Sequence, residues 1–197
     1  MQIRNGNVSK NHPVVKAGRA LHQVDLSGEY DPDALKGSQW GVGGYAEARP
    51  GMYTSSIFGG RRYIHMGIDI WAPAGTPVYS FCDGFILGFR DNDNPLDYGP
   101  TIVTAHEQEG RPLYALYGHL SRSCLKHLET GMKVKSGDQI GELGTELENG
   151  GWVPHLHFQL SRIKPAVPDM PGVVAPDELE EALQTYPDPR TVLGPLY

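Results

Sequence analysis

Strict alternation marks residues 155–160: His155, His157 and Gln159 fall on one parity, Leu156, Phe158 and Leu160 on the other. That is the period of a half-buried β-strand, and it sets the two imidazoles side by side on the polar face. Residues 64–70 repeat the pattern. Ile64, Met66, Ile68 and Ile70 share one face of a predicted strand, and His65, Gly67 and Asp69 share the other. Gly67 has no side chain, so open space is expected between His65 and Asp69. If the two strands pair with their polar faces together, His65, Asp69 and His157 can converge on one metal ion.

Around these stretches the chain reads as short strands and turns. Residues 78–81 and 85–89 flank Asp83-Gly84, a tight hairpin signal. Residues 101–105 and 113–117 predict two more strands, and 123–129 a short helix. Residues 132–134 and 139–143 bracket a turn at 136–138. This spacing predicts an all-β fold with short helices, a mainly antiparallel sandwich or barrel. The tail is helical: Leu179, Ala182 and Leu183 lie at i, i+3 and i+4, and Pro187 ends the run. Residues 1–50 show no sustained period and predict an arm or loops packed on the core, with one helical turn at 31–37. That leaves 51–165 as the main domain and 166–197 as an extension with one helix. Asp91, Asp93 and their neighbours lack the spacing and terminal Glu of a calcium loop, and read as a solvated loop. A glycine-rich loop at 148–151 precedes the histidine strand. With Trp152, Tyr45, Tyr53 and Tyr117 it furnishes a candidate groove for a peptide of little side-chain bulk. Arg49 also precedes the first histidine strand, either on that groove or as a surface or turn residue.

Composition changes this picture little. The length of 197 residues and an apolar fraction of 39% suit one domain, or one domain with arms. A formal charge of -6, with no Lys/Arg cluster, argues against a nucleic-acid partner. Cys82 and Cys124 are too few for a disulfide framework and read as buried free thiols, with a bridge or a metal role as the alternatives. Residues 1–6 lack the apolar core of a secretory signal, and no run approaches the ~18 apolar residues of a membrane helix. The expectation for the chain as it stands is therefore cytoplasmic, with no membrane partner.

The eight histidines divide by context. His12, His22, His106 and His127 have no partner pattern and read as ordinary. His65, His155 and His157 lie on polar strand faces, and His119 at a strand end. A catalytic zinc commonly has three protein ligands and one open position, which two histidines and a carboxylate satisfy. Such an ion makes a nucleophile of water near neutral pH. Two further histidines could take a proton from the water, return it to a leaving amine and stabilise an oxyanion.

These residues carry a resemblance. His65-Met66-Gly67-Ile68-Asp69 resembles the H-x-G-x-D motif of the M23 metallopeptidases, the lysostaphin and LytM type. His155-Leu156-His157 resembles their H-x-H motif, and Tyr117-Gly118-His119-Leu120 the segment with their other active-site histidine. The resemblance covers residues 60–162 in the family's order. It implies an antiparallel β fold of the duplicated hybrid motif type with a groove over the metal. It implies one zinc bound by His65, Asp69 and His157, with His119 and His155 as the catalytic histidines. It also implies endopeptidase activity, on glycyl or small-residue bonds of peptidoglycan or related peptides, and an extracytoplasmic place of action. The tail, 170–189, is similar to M23-like modules fused to aminotransferase and kinase-like domains. Two other classes stand beside this one: a non-catalytic binding or regulatory module on the same scaffold, and a sugar-phosphotransferase carrier domain with a phosphate-accepting histidine. The H-x-H strand argues against the carrier.

Overall fold

The computed structural model describes residues 11–37 and 40–197; of the predicted arm, 1–10 and 38–39 lie outside the described residues. In chain order the strands are β1 (His22–Gln23), β2 (Gly41–Gly43), β3 (Glu47–Ala48), β4 (Ile64–His65), β5 (Ile68–Trp71), β6 (Pro77–Tyr79), β7 (Gly84–Asn92), β8 (Gly99–Gln108), β9 (Arg111–Gly118), β10 (Lys133–Val134), β11 (Gln139–Glu142), β12 (His155–Ser161) and β13 (Val173–Val174). Eight of them form one open sheet in the order β1-β2-β5-β12-β9-β8-β7-β10. Smaller sheets are β11-β6 and β13-β4-β3. Apart from the parallel pair β1–β2, the ladders are antiparallel. The fold is thus mostly β, as expected, and it is not a closed barrel. Among the described residues no helix is long and apolar enough to cross a membrane.

The 155–160 alternation behaves as predicted on its apolar side. Strand β12 sits between β5 and β9, and Leu156, Phe158 and Leu160 are fully buried in the main core with Ile68, Ile70 and Tyr117. Its polar face is buried too, because flanking segments cover it.

Three expectations need correction. Residues 64–70 are not one strand: β4 ends at His65, β5 begins at Ile68, and the two lie in different sheets. The apolar parity divides accordingly. Ile68 and Ile70 join the main core, whereas Ile64 and Met66 pack with Val174 and Ala182. Asp83-Gly84 is not a hairpin turn either. β6 pairs with β11, and β7 pairs with β8. The backbone at Ser80 is tied instead to the turn near Asp138 and Gly137, which diverts the chain from a local hairpin. The two cysteines are free but only half-buried.

The helices are short. α1 (Pro32–Gly37) matches the predicted turn, and α2 (Leu179–Thr185) the helical tail, which α3 (Arg190–Leu193) extends unexpectedly. The predicted helix at 123–129 is a 3-10 segment, Arg122–His127.

The strand that carries His65 is held from both sides. Glu47 of β3 and Val173 of β13 both lie opposite His65. The N-terminal and C-terminal segments therefore meet across β4.

Candidate metal centre

Strands β5 and β12 pair with Asp69 opposite His157, so the two side chains emerge together from one face of the sheet. His65 arrives from the end of β4, across the break at Gly67. His65, Asp69 and His157 are all buried, and one ligand atom from each lies within 4.8 Å of the others. Nε2 of His65 is 3.0 Å from Nδ1 of His157 and 3.3 Å from Oδ2 of Asp69. Nδ1 of His157 is 3.1 Å from Oδ1 of Asp69. The expected space beside Gly67 is not open: the His157 ring occupies it.

The far side of each imidazole fixes its tautomer. Nδ1 of His65 lies 2.9 Å from the Gly44 carbonyl, to which its N–H donates. Nε2 of His157 lies 3.0 Å from Oε1 of Gln159 and donates there. Both lone pairs then point inward at the carboxylate. Metal-binding histidines are commonly oriented by such outer partners. Three acceptors converging with no proton between them is a place for a cation, and two imidazoles plus a carboxylate suit zinc.

Arg49 closes the site from behind. It is fully buried, and Nη1 donates to Oδ2 of Asp69 at 2.6 Å and to the Tyr53 hydroxyl at 3.2 Å. Nε donates to Oε2 of Glu47 at 2.7 Å. It is therefore neither a surface nor a turn residue.

His119 and His155 form a second imidazole pair, with ring centres 4.2 Å apart. His155 donates from Nδ1 to the Val153 carbonyl at 2.7 Å and stacks on Trp71, leaving Nε2 3.8 Å from Oδ1 of Asp69. His119 donates from Nδ1 to the Asn149 carbonyl at 2.9 Å. Its backbone is left-handed, φ 62°, an uncommon conformation for a non-glycine residue. Asn149 is itself buried and folds its loop back, its Oδ1 accepting from the backbone of Gly151 and Trp152.

Burial sets the protonation states. It pushes His65 down to about 4, with the Arg49 charge acting in the same direction. His119 is held well below the ordinary histidine value by burial and by His155 and His157, and His155 is lowered chiefly by burial. For Asp69 burial works the other way, but the neighbouring His65 and the Arg49 guanidinium outweigh it and keep the carboxyl well below the usual carboxylate range. At neutral pH His65, His119 and His155 are thus neutral and Asp69 is ionised.

A groove of about 400 Å³ opens over Asp69, His119, His155 and His157. Tyr53, Phe58 and Trp152 form an aromatic wall, and Tyr98, Met170 and Val173 lie elsewhere on its lining. The volume is within the usual range for ligand clefts. Tyr117, expected on this wall, is buried in the main core, because its register opposite Phe158 and Ile102 turns it to the apolar side. Tyr45 packs between core clusters and donates to the Tyr186 carbonyl.

All five singled-out residues meet here. His22 and His127 are exposed, His12 packs on Tyr79, and His106 is buried beside Cys82 and Thr104, away from this cluster. No sequence signal marked Tyr98, whose hydroxyl donates to the Met170 carbonyl at 3.0 Å and stands 3.4 Å from Nε2 of His157. Gln159 carried a signal, since it shares the parity of the two histidines.

Comparison with known proteins gives the family. The peptidoglycan DD-endopeptidase ShyA of Vibrio cholerae is 35% identical over 96 residues, 49% of this chain and 20% of that protein. The DD-carboxypeptidase/endopeptidase Mpg of Neisseria meningitidis is 34% identical over 119 residues, 56% of this chain and 25% of that protein. The chain thus spans a quarter or less of the length of these relatives. The catalytic domain of lysostaphin from Staphylococcus simulans aligns with a TM-score of 0.47 at 26% identity, over 78% of this chain and 99% of that domain. The family model for peptidase family M23 matches residues 63–168, just over half of the 197 residues and the span that holds all five clustered side chains, and the chain belongs to that family.

Proposed function

We propose that this chain is a zinc-dependent metalloendopeptidase, with His65, Asp69 and His157 as the zinc ligands and His119 and His155 as the catalytic histidines. The observation that carries this reading is the inward convergence of three acceptor atoms within 4.8 Å, two of them on imidazoles whose other nitrogens are engaged. Bound there, zinc supplies a Lewis acid that acidifies a water and polarises a scissile carbonyl.

The chain's own residues do the rest. His119 and His155 each donate from Nδ1 to a backbone carbonyl, so Nε2 is the atom free to hold a transferred proton. Low proton affinity before reaction makes either ring a ready donor once protonated, and the ionised Asp69 near Nε2 of His155 favours that charged form. The left-handed backbone and the Asn149 carbonyl hold His119 over the groove.

The substrate we assign is a peptide of peptidoglycan or a related peptide, cut at glycyl or other small-residue bonds. The names of the relatives support the peptidoglycan class, and the bulky wall of Tyr53, Phe58 and Trp152 supports small residues near the cut. The test is to incubate zinc-loaded protein with purified peptidoglycan and a glycine-containing peptide library, and to read the products by mass spectrometry. New termini at glycyl or alanyl bonds that vanish on chelation are expected. Intact substrates with fully loaded protein would overturn the reading.

A further inference from the structure

We propose that Arg49 is a positioning residue for the metal ligand Asp69: by engaging Oδ2, it confines the carboxylate to ligation through Oδ1 alone and keeps a coordination position free for substrate. The inference rests on the reading of His65, Asp69 and His157 as the ligand set.

The geometry is specific to a guanidinium. Nη1 meets Oδ2 of Asp69 at 2.6 Å while Nε meets Glu47 at 2.7 Å, so the planar fork is braced by two carboxylates on different strands. Nη2 faces the Gly44 carbonyl at 3.4 Å, the same carbonyl that receives the His65 N–H at 2.9 Å. One backbone oxygen thus contacts both the arginine and a candidate ligand. Gly43, opposite Asp69 in the β2–β5 ladder, is what admits the fork: a Cβ there would stand 2.5 Å from Nη2. Lysine, a single point charge, could not span these partners.

The consequence follows from coordination chemistry. A carboxylate free at both oxygens can chelate an ion, filling a position that catalysis needs open. With Oδ2 drawn into a short charge-assisted bond, Oδ1, 3.1 Å from Nδ1 of His157, is the better ligand atom, although Oδ2 also stands 3.3 Å from Nε2 of His65. The guanidinium also withdraws electron density from the ligand, leaving the ion more electrophilic. A role confined to neutralising a buried carboxylate would predict something different: loss of Arg49 would then lower stability, metal content and turnover together.

Cobalt(II) substitution separates these cases, since its visible bands are strong in four-coordinate sites and weaken as ligands are added. In Arg49→Gln we expect cobalt to bind stoichiometrically with weakened visible bands, and the zinc form to lose turnover by roughly 10–100-fold, the usual worth of an outer partner of a ligand. The loss should fall in kcat with metal occupancy retained. If Arg49→Gln does not fold, Glu47→Gln, which loosens the brace and keeps the arginine, should weaken the same bands to a smaller degree. Wild-type bands in whichever variant folds, or metal lost in proportion to activity, would overturn the assignment of Arg49. A wild-type chain that takes up no cobalt would overturn the metal-site reading itself, and this inference with it.

Discussion

The ring of His157 lies in the slot that Gly67 leaves beside it: a Cβ built on Gly67 would stand 2.6 Å from Cε1 and 2.7 Å from Nε2 of that ring. Glycine is required here by close approach, and its φ is not in the left-handed region. Gly67→Ala should cost about 1–3 kcal/mol, the usual cost of overpacking, and should push His157 off its partners. Thermal unfolding and elemental analysis check this together. A variant with wild-type Tm and full metal content would contradict it.

The three candidate ligands should be individually necessary for metal. In His157→Ala or Asp69→Ala two ligands remain, too few to complete the site, and most of the bound zinc should be lost. Elemental analysis after dialysis against a weak chelator gives the answer. Equal zinc in the wild type and both variants would remove the assignment.

His119 stands apart from that triad, engaged by the Asn149 carbonyl and tilted against His155. His119→Ala should keep zinc and fold, and lose turnover by roughly 10²–10⁴-fold, as expected for a positioned acid or base. Steady-state kinetics on a peptide substrate identified by mass spectrometry would show it. Full activity in the variant would exclude the catalytic role.

The buried histidines make the metal-free protein sensitive to acid. His65 is lowered to about 4, and His119 and His155 are lowered by burial as well. In the unfolded chain each titrates near ~6.5. Between that value and about 4 the unfolded chain binds more protons, so stability falls as pH falls through this window. The depressed Asp69 adds a further loss as pH drops below ~3.9. The denaturant midpoint of chelator-treated protein should be lower near pH ~5 than near pH ~7. Equal midpoints would show that these imidazoles are not held neutral.

Much of the site was legible because alternation carries facing information. Parity alone grouped His155, His157 and Gln159 away from Leu156, Phe158 and Leu160, and the strand obeys it. The same reasoning overran at Met66 and Gly67, since parity continues smoothly through a break between two sheets. Arg49 was legible only as one of two options, a groove residue or a surface or turn residue, and nothing in the sequence tied it to Asp69. It reaches Asp69 from a loop twenty positions away in sequence, where no period exists to place it. The Asn149 carbonyl and the Tyr98 hydroxyl were hidden for similar reasons: one acts through its backbone, and the other comes from a turn beside a strand whose bounds were read too short. Tyr117 misled because its strand face depends on register, which only the ladder with β12 fixes.

The three-stranded order β13-β4-β3 limits how this protein could be recombined with others. The span matched by the family model, 63–168, contains β4 but neither of its neighbours, which end at Ala48 and begin at Val173. Excising that span would strip both ladders from the strand bearing His65, and would also remove Arg49 behind Asp69. The span matched by the family model is therefore not a portable cassette. A chimera built from this chain has to take its grafting points upstream of β3 and downstream of β13, and a library that varies those outer segments varies the candidate metal centre as well.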